Sequence, residues 1–315
     1  MAIPGDPDER EWIELSGVNP HWVDQFRPTL ISFVASDSDM QPHPVGSGFL
    51  IGAGPQIAIA LTAKHVFTPG VLNIQRPHRV HARSALAEFL PKSATTPSIH
   101  SKDLFALWAD SSKGLPLQIS FSCYNESTDL AVCVLTLPPN AEAPFLAPCV
   151  PIHTGVPHVG EIVHMVSYDK LAQRTLKPTT ASEPGTFELH RTVSIRRGYV
   201  TGVYLDGYRQ YRWPCITTSI PAEPGMSGGF VFAPKDGEAI AACGVVCADN
   251  STAEARGSLL QAGESVVGLT YMTLGLTVPV ETSDDAPRRT IQQMMRDGDL
   301  TPAVGGFEQF RVIVD

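Results

Sequence analysis

From Thr29 onward the chain is a succession of short apolar, β-branched runs with turn residues between them. Thr29-Leu30-Ile31-Ser32-Phe33-Val34 precedes the turn signal Ser36-Asp37-Ser38-Asp39. Phe49-Leu50-Ile51 leads through Gly52-Ala53-Gly54-Pro55 into Ile57-Ala58-Ile59-Ala60-Leu61, a hairpin pattern. Strand-like runs follow at 162–166, 192–195, 199–204, 211–219, 229–232, 240–247 and 266–273, and Lys235-Asp236-Gly237 is a strong hairpin turn signal. This pattern predicts an all-β chain of antiparallel barrels rather than βαβ units. The 26 glycines and 27 prolines supply turns and argue against a helical bundle.

Composition excludes several classes of function. A chain of 315 residues with 43% apolar and 17% charged content is globular, and long enough for one domain or two. A net charge of -9 argues against a nucleic-acid partner, because phosphate binding needs basic patches. The segment Met1 to Arg10 is acidic where a signal peptide is basic, and it has no apolar core. No apolar run reaches the length of a membrane span, so we expect a cytoplasmic protein without a membrane partner. The six cysteines fit that expectation as buried free thiols. Cys243 and Cys247, four apart on an extended run, lie roughly 13 Å from each other, too far to bridge. With no Cys-x-x-Cys or Cys/His cluster, neither a metal nor a cofactor is expected.

The stretch Pro224-Gly225-Met226-Ser227-Gly228-Gly229 has the features a serine nucleophile requires. Glycines allow a sharp turn that presents the hydroxyl, and they leave room for a substrate. The N–H groups of Gly225 and Ser227 are then able to converge on a developing oxyanion. Taken alone, the stretch reads equally well as a hairpin turn. Two other stretches supply what a serine lacks. His65 follows the strand-like Leu61-Thr62-Ala63 where the chain must turn, and Asp129 opens the β-rich run Leu130-Ala131-Val132-Cys133-Val134-Leu135. A serine hydroxyl needs a base to take its proton, and the base needs an orienting carboxylate. Asp103, in Ser101-Lys102-Asp103-Leu104, is a rival for the acid, but that segment reads as a helix start capped by Ser101 or Asp103.

Together Gly46-Ser47-Gly48-Phe49-Leu50-Ile51, Thr62-Ala63-Lys64-His65-Val66, Asp129-Leu130-Ala131-Val132 and Gly225-Met226-Ser227-Gly228-Gly229 resemble the trypsin-like serine peptidases. The resemblance is closer to the bacterial high-temperature-requirement type than to the digestive enzymes, and Arg197-Gly198-Tyr199-Val200-Thr201-Gly202 is a weaker echo of it. It implies a chymotrypsin-like fold of two six-stranded antiparallel β-barrels. We expect an N-terminal arm (1–27), a first barrel (28–150) with a helical insertion near 76–118, a second barrel (151–283) and a C-terminal helix with a tail (284–315), leaving no room for a PDZ module. It implies catalysis by His65, Asp129 and Ser227, with an oxyanion hole at Gly225, Met226 and Ser227. The substrate pocket would be walled by Pro221, Ala222, Glu223, Cys247, Ala248 and Asp249, where Glu223 or Asp249 would attract a basic residue. The expected partners are a protein or peptide substrate and a protein activator, and the expected activity is limited regulatory endoproteolysis. A latent peptidase-fold scaffold and an esterase with the same triad remain open. The digestive enzymes place an acid just before the nucleophile to pair with a newly cut N-terminus; Met226 stands there instead, so that activation route is not expected.

Overall fold

The computed structural model describes residues 12–36, 42–53, 57–67, 104–110, 114–124, 128–136, 147–176, 186–208, 211–223, 225–235, 240–248, 264–279, 288–293 and 312–313. The arm contributes strand β1 (Ile13–Glu14) and helix α1 (Pro20–Phe26), whose start is favoured by proline in its first turn. The first barrel follows as β2 (Leu30–Ser36), β3 (Pro42–Ala53), β4 (Ile57–Ala63), β5 (Leu104–Ala109), β6 (Gly114–Tyr124) and β7 (Leu130–Thr136). It closes in the order β2-β3-β4-β7-β6-β5. After β8 (Ile152–His153) come β9 (Ile162–Leu176), β10 (Thr186–Tyr204), β11 (Cys215–Thr218), β12 (Phe230–Phe232), β13 (Gly244–Ala248) and β14 (Ser265–Leu269). Because β9 pairs with both β10 and β12, these six also close into an antiparallel barrel, and β1 adds to β10 from outside. Two closed six-stranded barrels are therefore present, as the resemblance implies and in keeping with the strand pattern of the sequence.

Alternation along each strand builds three apolar layers. In β7, Ala131, Cys133 and Leu135 point into the first barrel, while Leu130, Val132 and Val134 point toward the second. Both faces are dry, which explains a continuous apolar run where a half-exposed strand would alternate with polar residues. In β4, Ala58, Ala60 and Ala63 fill the barrel interior and Ile59 and Leu61 face the seam. The second barrel holds its own core of Val163, Met165, Ile216, Val231, Val246 and Val267. Between the barrels, Phe230 packs 5.3 Å from the Phe49 ring and 5.6 Å from Phe26 of α1. Burying a side chain of this kind stabilises the fold by about 2–3 kcal/mol, so the seam binds the two barrels strongly.

Two expectations are corrected. Residues 104–110 and 114–118 do not form a helical insertion: Leu104–Ala109, where the expected helix would run, is strand β5, with alternating burial of period two, and Gly114 opens β6. Leu104, Ala106 and Trp108 face inward, and that alternation overrides the helical composition. Residues 76–103, which include Ser101 and Asp103, and residues 111–113, the rest of the expected insertion, lie outside the described residues. The C-terminal helix expected within 284–315 does not include Arg288–Thr290, which is strand β16, paired with β15 (Thr277–Pro279); residues 291–293 are helical, and 294–311 lie outside the described residues. Strand β17 (Val312–Ile313) does add to an edge, pairing in parallel with β8. Five cysteines, Cys133, Cys149, Cys215, Cys243 and Cys247, are free thiols, as expected.

His164 lies beneath α1, stacked on Phe232 at 5.0 Å and edge-on to Trp22 at 5.3 Å. Burial, reinforced by the nearby Arg197 charge, pushes its pKa down to about 4. The imidazole is therefore neutral in the folded protein, whereas in the unfolded chain it takes up a proton as pH falls through its ordinary value. The unfolded state then binds more protons, so stability present above about pH 6.5 is lost between that point and pH 4, by up to about 3 kcal/mol. Denaturant unfolding at pH 7 and pH 4.5 will show this loss, and His164→Phe will reduce it.

Candidate active site

The register of β4 on β7 assembles the first half of the site. Ala63 pairs with Leu130, so the residues just beyond β4 meet those just before β7. His65 stands in the helical turn Lys64–Phe67, two residues past the end of β4. Its Nδ1 donates to Asp129 Oδ2 at 2.7 Å, and its backbone N–H donates to Asp129 Oδ1 at 2.9 Å. The Asp129 carbonyl accepts the Lys64 N–H at 2.9 Å. Asp129 is 6% exposed, so its carboxylate depends on these donors in place of water. This bond fixes the imidazole tautomer: the proton sits on Nδ1, which makes Nε2 the basic nitrogen of the neutral ring.

The second half is a tight turn ahead of β12. The Gly229 N–H donates to the Met226 carbonyl at 2.9 Å, closing a four-residue turn with Ser227 inside it. Gly225 (φ 97°) and Gly228 (φ 89°) are both in the left-handed region that favours glycine. At Gly228 space is lacking as well, since a Cβ there would lie 1.9 Å from the Ser47 carbonyl oxygen and 2.2 Å from Thr62 Oγ1. The Ser47 N–H donates to the Ser227 carbonyl at 2.7 Å, and Thr62 Oγ1 donates to the Ser47 carbonyl at 2.6 Å. The Ser227 turn is thus pressed onto β3 and the end of β4, three residues from His65. Among the described residues the N–H groups of Gly225 and Ser227 donate to no protein carbonyl.

Two side chains hold the turn from below, and the sequence reading missed both. Ser47 Oγ donates to the Gly225 carbonyl at 2.8 Å and accepts the Tyr168 N–H at 3.1 Å. Arg191 reaches the same carbonyl at 3.5 Å, donates to Ser32 Oγ, and lies 4.8 Å over the Tyr168 ring. Burial pulls its pKa down to about 10, still protonated near neutral pH. A charged residue beside a strand-like run is the signal that marks it in the sequence.

Of the expected pocket residues, Pro221, Ala222 and Glu223 form the segment just before the turn. Glu223 does not offer a free charge to a basic substrate residue: its Oε1 is 2.8 Å from Arg196 Nη2, in an ion pair whose cation is 3% exposed. Cys247 is buried against the Asp129 carbonyl, its Sγ donating at 3.7 Å, and burial together with the Asp129 charge raises its pKa well above the ordinary thiol value. Ala248 pairs with Val266 after a bulge in β13. Asp249 and Pro224 lie outside the described residues. No cluster of metal ligands occurs among the described residues.

The family model described as trypsin-like peptidase domain matches residues 46–241, from the Gly46 strand to beyond the serine turn. The chain belongs to the trypsin-like peptidase family. No curated protein matches this trypsin-like peptidase. Among solved structures it is similar to human heparin binding protein, at 14% identity over 78% of this chain and 87% of that one, with a TM-score of 0.43.

The serine turn of this trypsin-like peptidase cannot accept a side chain at position 228. Gly228→Ala combines a positive φ with a collision against backbone, and will cost more than about 2 kcal/mol of stability. A urea midpoint equal to the wild-type value would contradict the contact.

Proposed function

We propose that the chain is a serine endopeptidase in which Ser227 attacks a peptide carbonyl, His65 is the base and Asp129 orients it. The observation that carries this reading is the bond from His65 Nδ1 to Asp129 Oδ2, made beside a turn that can display Ser227. Ser227 Oγ bonds to the carbonyl carbon as its proton passes to His65 Nε2. The tetrahedral intermediate collapses, the C–N bond breaks, and the same proton leaves with the amine. Water then repeats the sequence on the acyl-enzyme, releasing the acid and restoring Ser227. The N–H groups of Gly225 and Ser227 are the donors for the oxyanion, worth about 3 kcal/mol each in the transition state. Asp129 stays ionised and stabilises the imidazolium formed at each transfer.

Glu223 is tied to Arg196, a cation it shares with Glu14, so it lends no support to a preference for basic residues. The motifs around His65 and Asp129 support a likeness to the high-temperature-requirement type, and the substrate class is protein or peptide.

The test is hydrolysis of an unfolded protein substrate. Ser227→Ala and His65→Ala will each lower kcat by about 10⁶-fold, and Asp129→Asn by about 10⁴-fold through the wrong tautomer, with Tm little changed. Wild-type turnover by folded Ser227→Ala would refute the assignment.

A further inference from the structure

The N-terminal arm is wired to the segment that precedes Ser227. Strand β1 pairs with β10, Ile13 opposite Arg197 and Glu14 opposite Arg196. The Glu14 carboxylate accepts from Ser194 Oγ at 2.9 Å, the Ile195 N–H at 3.0 Å and Arg196 Nε at 3.1 Å. Trp12 covers the other face of Arg196, its ring 4.6 Å from the guanidinium carbon. Arg196 also donates to the pre-nucleophile segment, from Nη1 to the Pro221 carbonyl at 2.7 Å and from Nη2 to Glu223 Oε1 at 2.8 Å. Glu223 continues the chain of contacts, because its carbonyl accepts the Met226 N–H at 3.0 Å and its own N–H points to Met226 Sδ at 3.3 Å. The network runs from Trp12 and Glu14, through one buried guanidinium, to the residue adjacent to Ser227.

We propose that Arg196, clamped by Trp12 and Glu14, is a positioning residue that holds Pro221, Glu223 and, through Glu223, Met226 in the arrangement that displays Ser227, so that docking of the arm is required for a competent site. The proposal rests on the reading of Ser227 as the nucleophile. The planar fork of arginine lets one side chain serve three partners at fixed angles, which a lysine ammonium does not do. Arg196 is 3% exposed, so its bonds to Pro221 and Glu223 are little screened by water. Removing the Trp12 ring or the Glu14 carboxylate admits water to the guanidinium, and a solvated ion pair constrains a loop only weakly. Met226 stands where the digestive enzymes keep an acid for a freshly cut N-terminus. In this chain an internal carboxylate, delivered by the arm, acts through Arg196 on that same turn, and no cleavage is needed.

The experiment compares full-length wild type with Trp12→Ala, Glu14→Gln and Arg196→Lys. It reads the rate of phosphonylation by a fluorophosphonate probe, kcat and KM on a peptide, and the methyl resonance of Met226 in protein labelled with ¹³C-methyl methionine. Phosphonylation rate and kcat should fall at least tenfold in each folded variant, KM should stay within twofold, and the Met226 methyl should shift. Glu14→Gln is isosteric and half-exposed, so it serves if Arg196→Lys fails to fold. If wild type is labelled and every folded variant is labelled at a rate within twofold of it, the positioning role is overturned while the Ser227 reading stands. If wild type is not labelled, the Ser227 reading fails, and the Met226 resonance alone decides the coupling: a shift supports it and an unmoved methyl overturns it.

Discussion

The Asp129 carboxylate is almost cut off from water, and both of its oxygens are committed to His65, one to the ring and one to the backbone N–H. A buried charge is tolerated only where donors replace its hydration. Here the donors are built into the fold, because pairing Ala63 with Leu130 carries the end of β4 to the start of β7. The same carboxylate that needs His65 for its own solvation thereby fixes the imidazole tautomer. Stability and chemistry ask for the same bond, and the strand register supplies it without any loop having to adjust.

The seam between the barrels does the rest. Phe26, Phe49 and Phe230 close it, while Leu130 and Val245 line it from opposite sides. Its consequence for the site is that the Ser227 turn, which belongs to the second barrel, rests on β3 of the first through the bond from Ser47 to the Ser227 carbonyl. Gly228 permits that approach. The Ser227 turn of one barrel and the His65 turn of the other, the proposed nucleophile and base, are held in register by apolar packing on one side and by Ser47 and Arg191 on the other.

The barrels, and the residues of the candidate site, are legible because their signals are local. Short β-branched runs identify strands one at a time, and Gly225 to Gly229, His65 after Thr62-Ala63, and Asp129 before Leu130 are each read within a few residues. What the sequence hid depends on long-range pairing. Arg196 lies 182 residues from Glu14 and 27 from Glu223, and Ser47 lies 178 from Gly225, so nothing nearby in the chain marks these contacts. Glu223 looked available to a basic substrate because its cation lies on a different strand. The strand β5 was misread as a helix start because Leu104-Phe105-Ala106-Leu107 suits either state by composition, and only burial on alternate residues decides between them.

The central claim is that one serine in this fold is chemically activated, and the direct measurement is the site of covalent reaction. Wild-type protein treated with an excess of a fluorophosphonate, digested and mapped by mass spectrometry, should carry a single adduct on the peptide containing Ser227, and none after prior denaturation. An adduct on another residue, or an unmodified Ser227 in folded protein after prolonged exposure, would contradict the account.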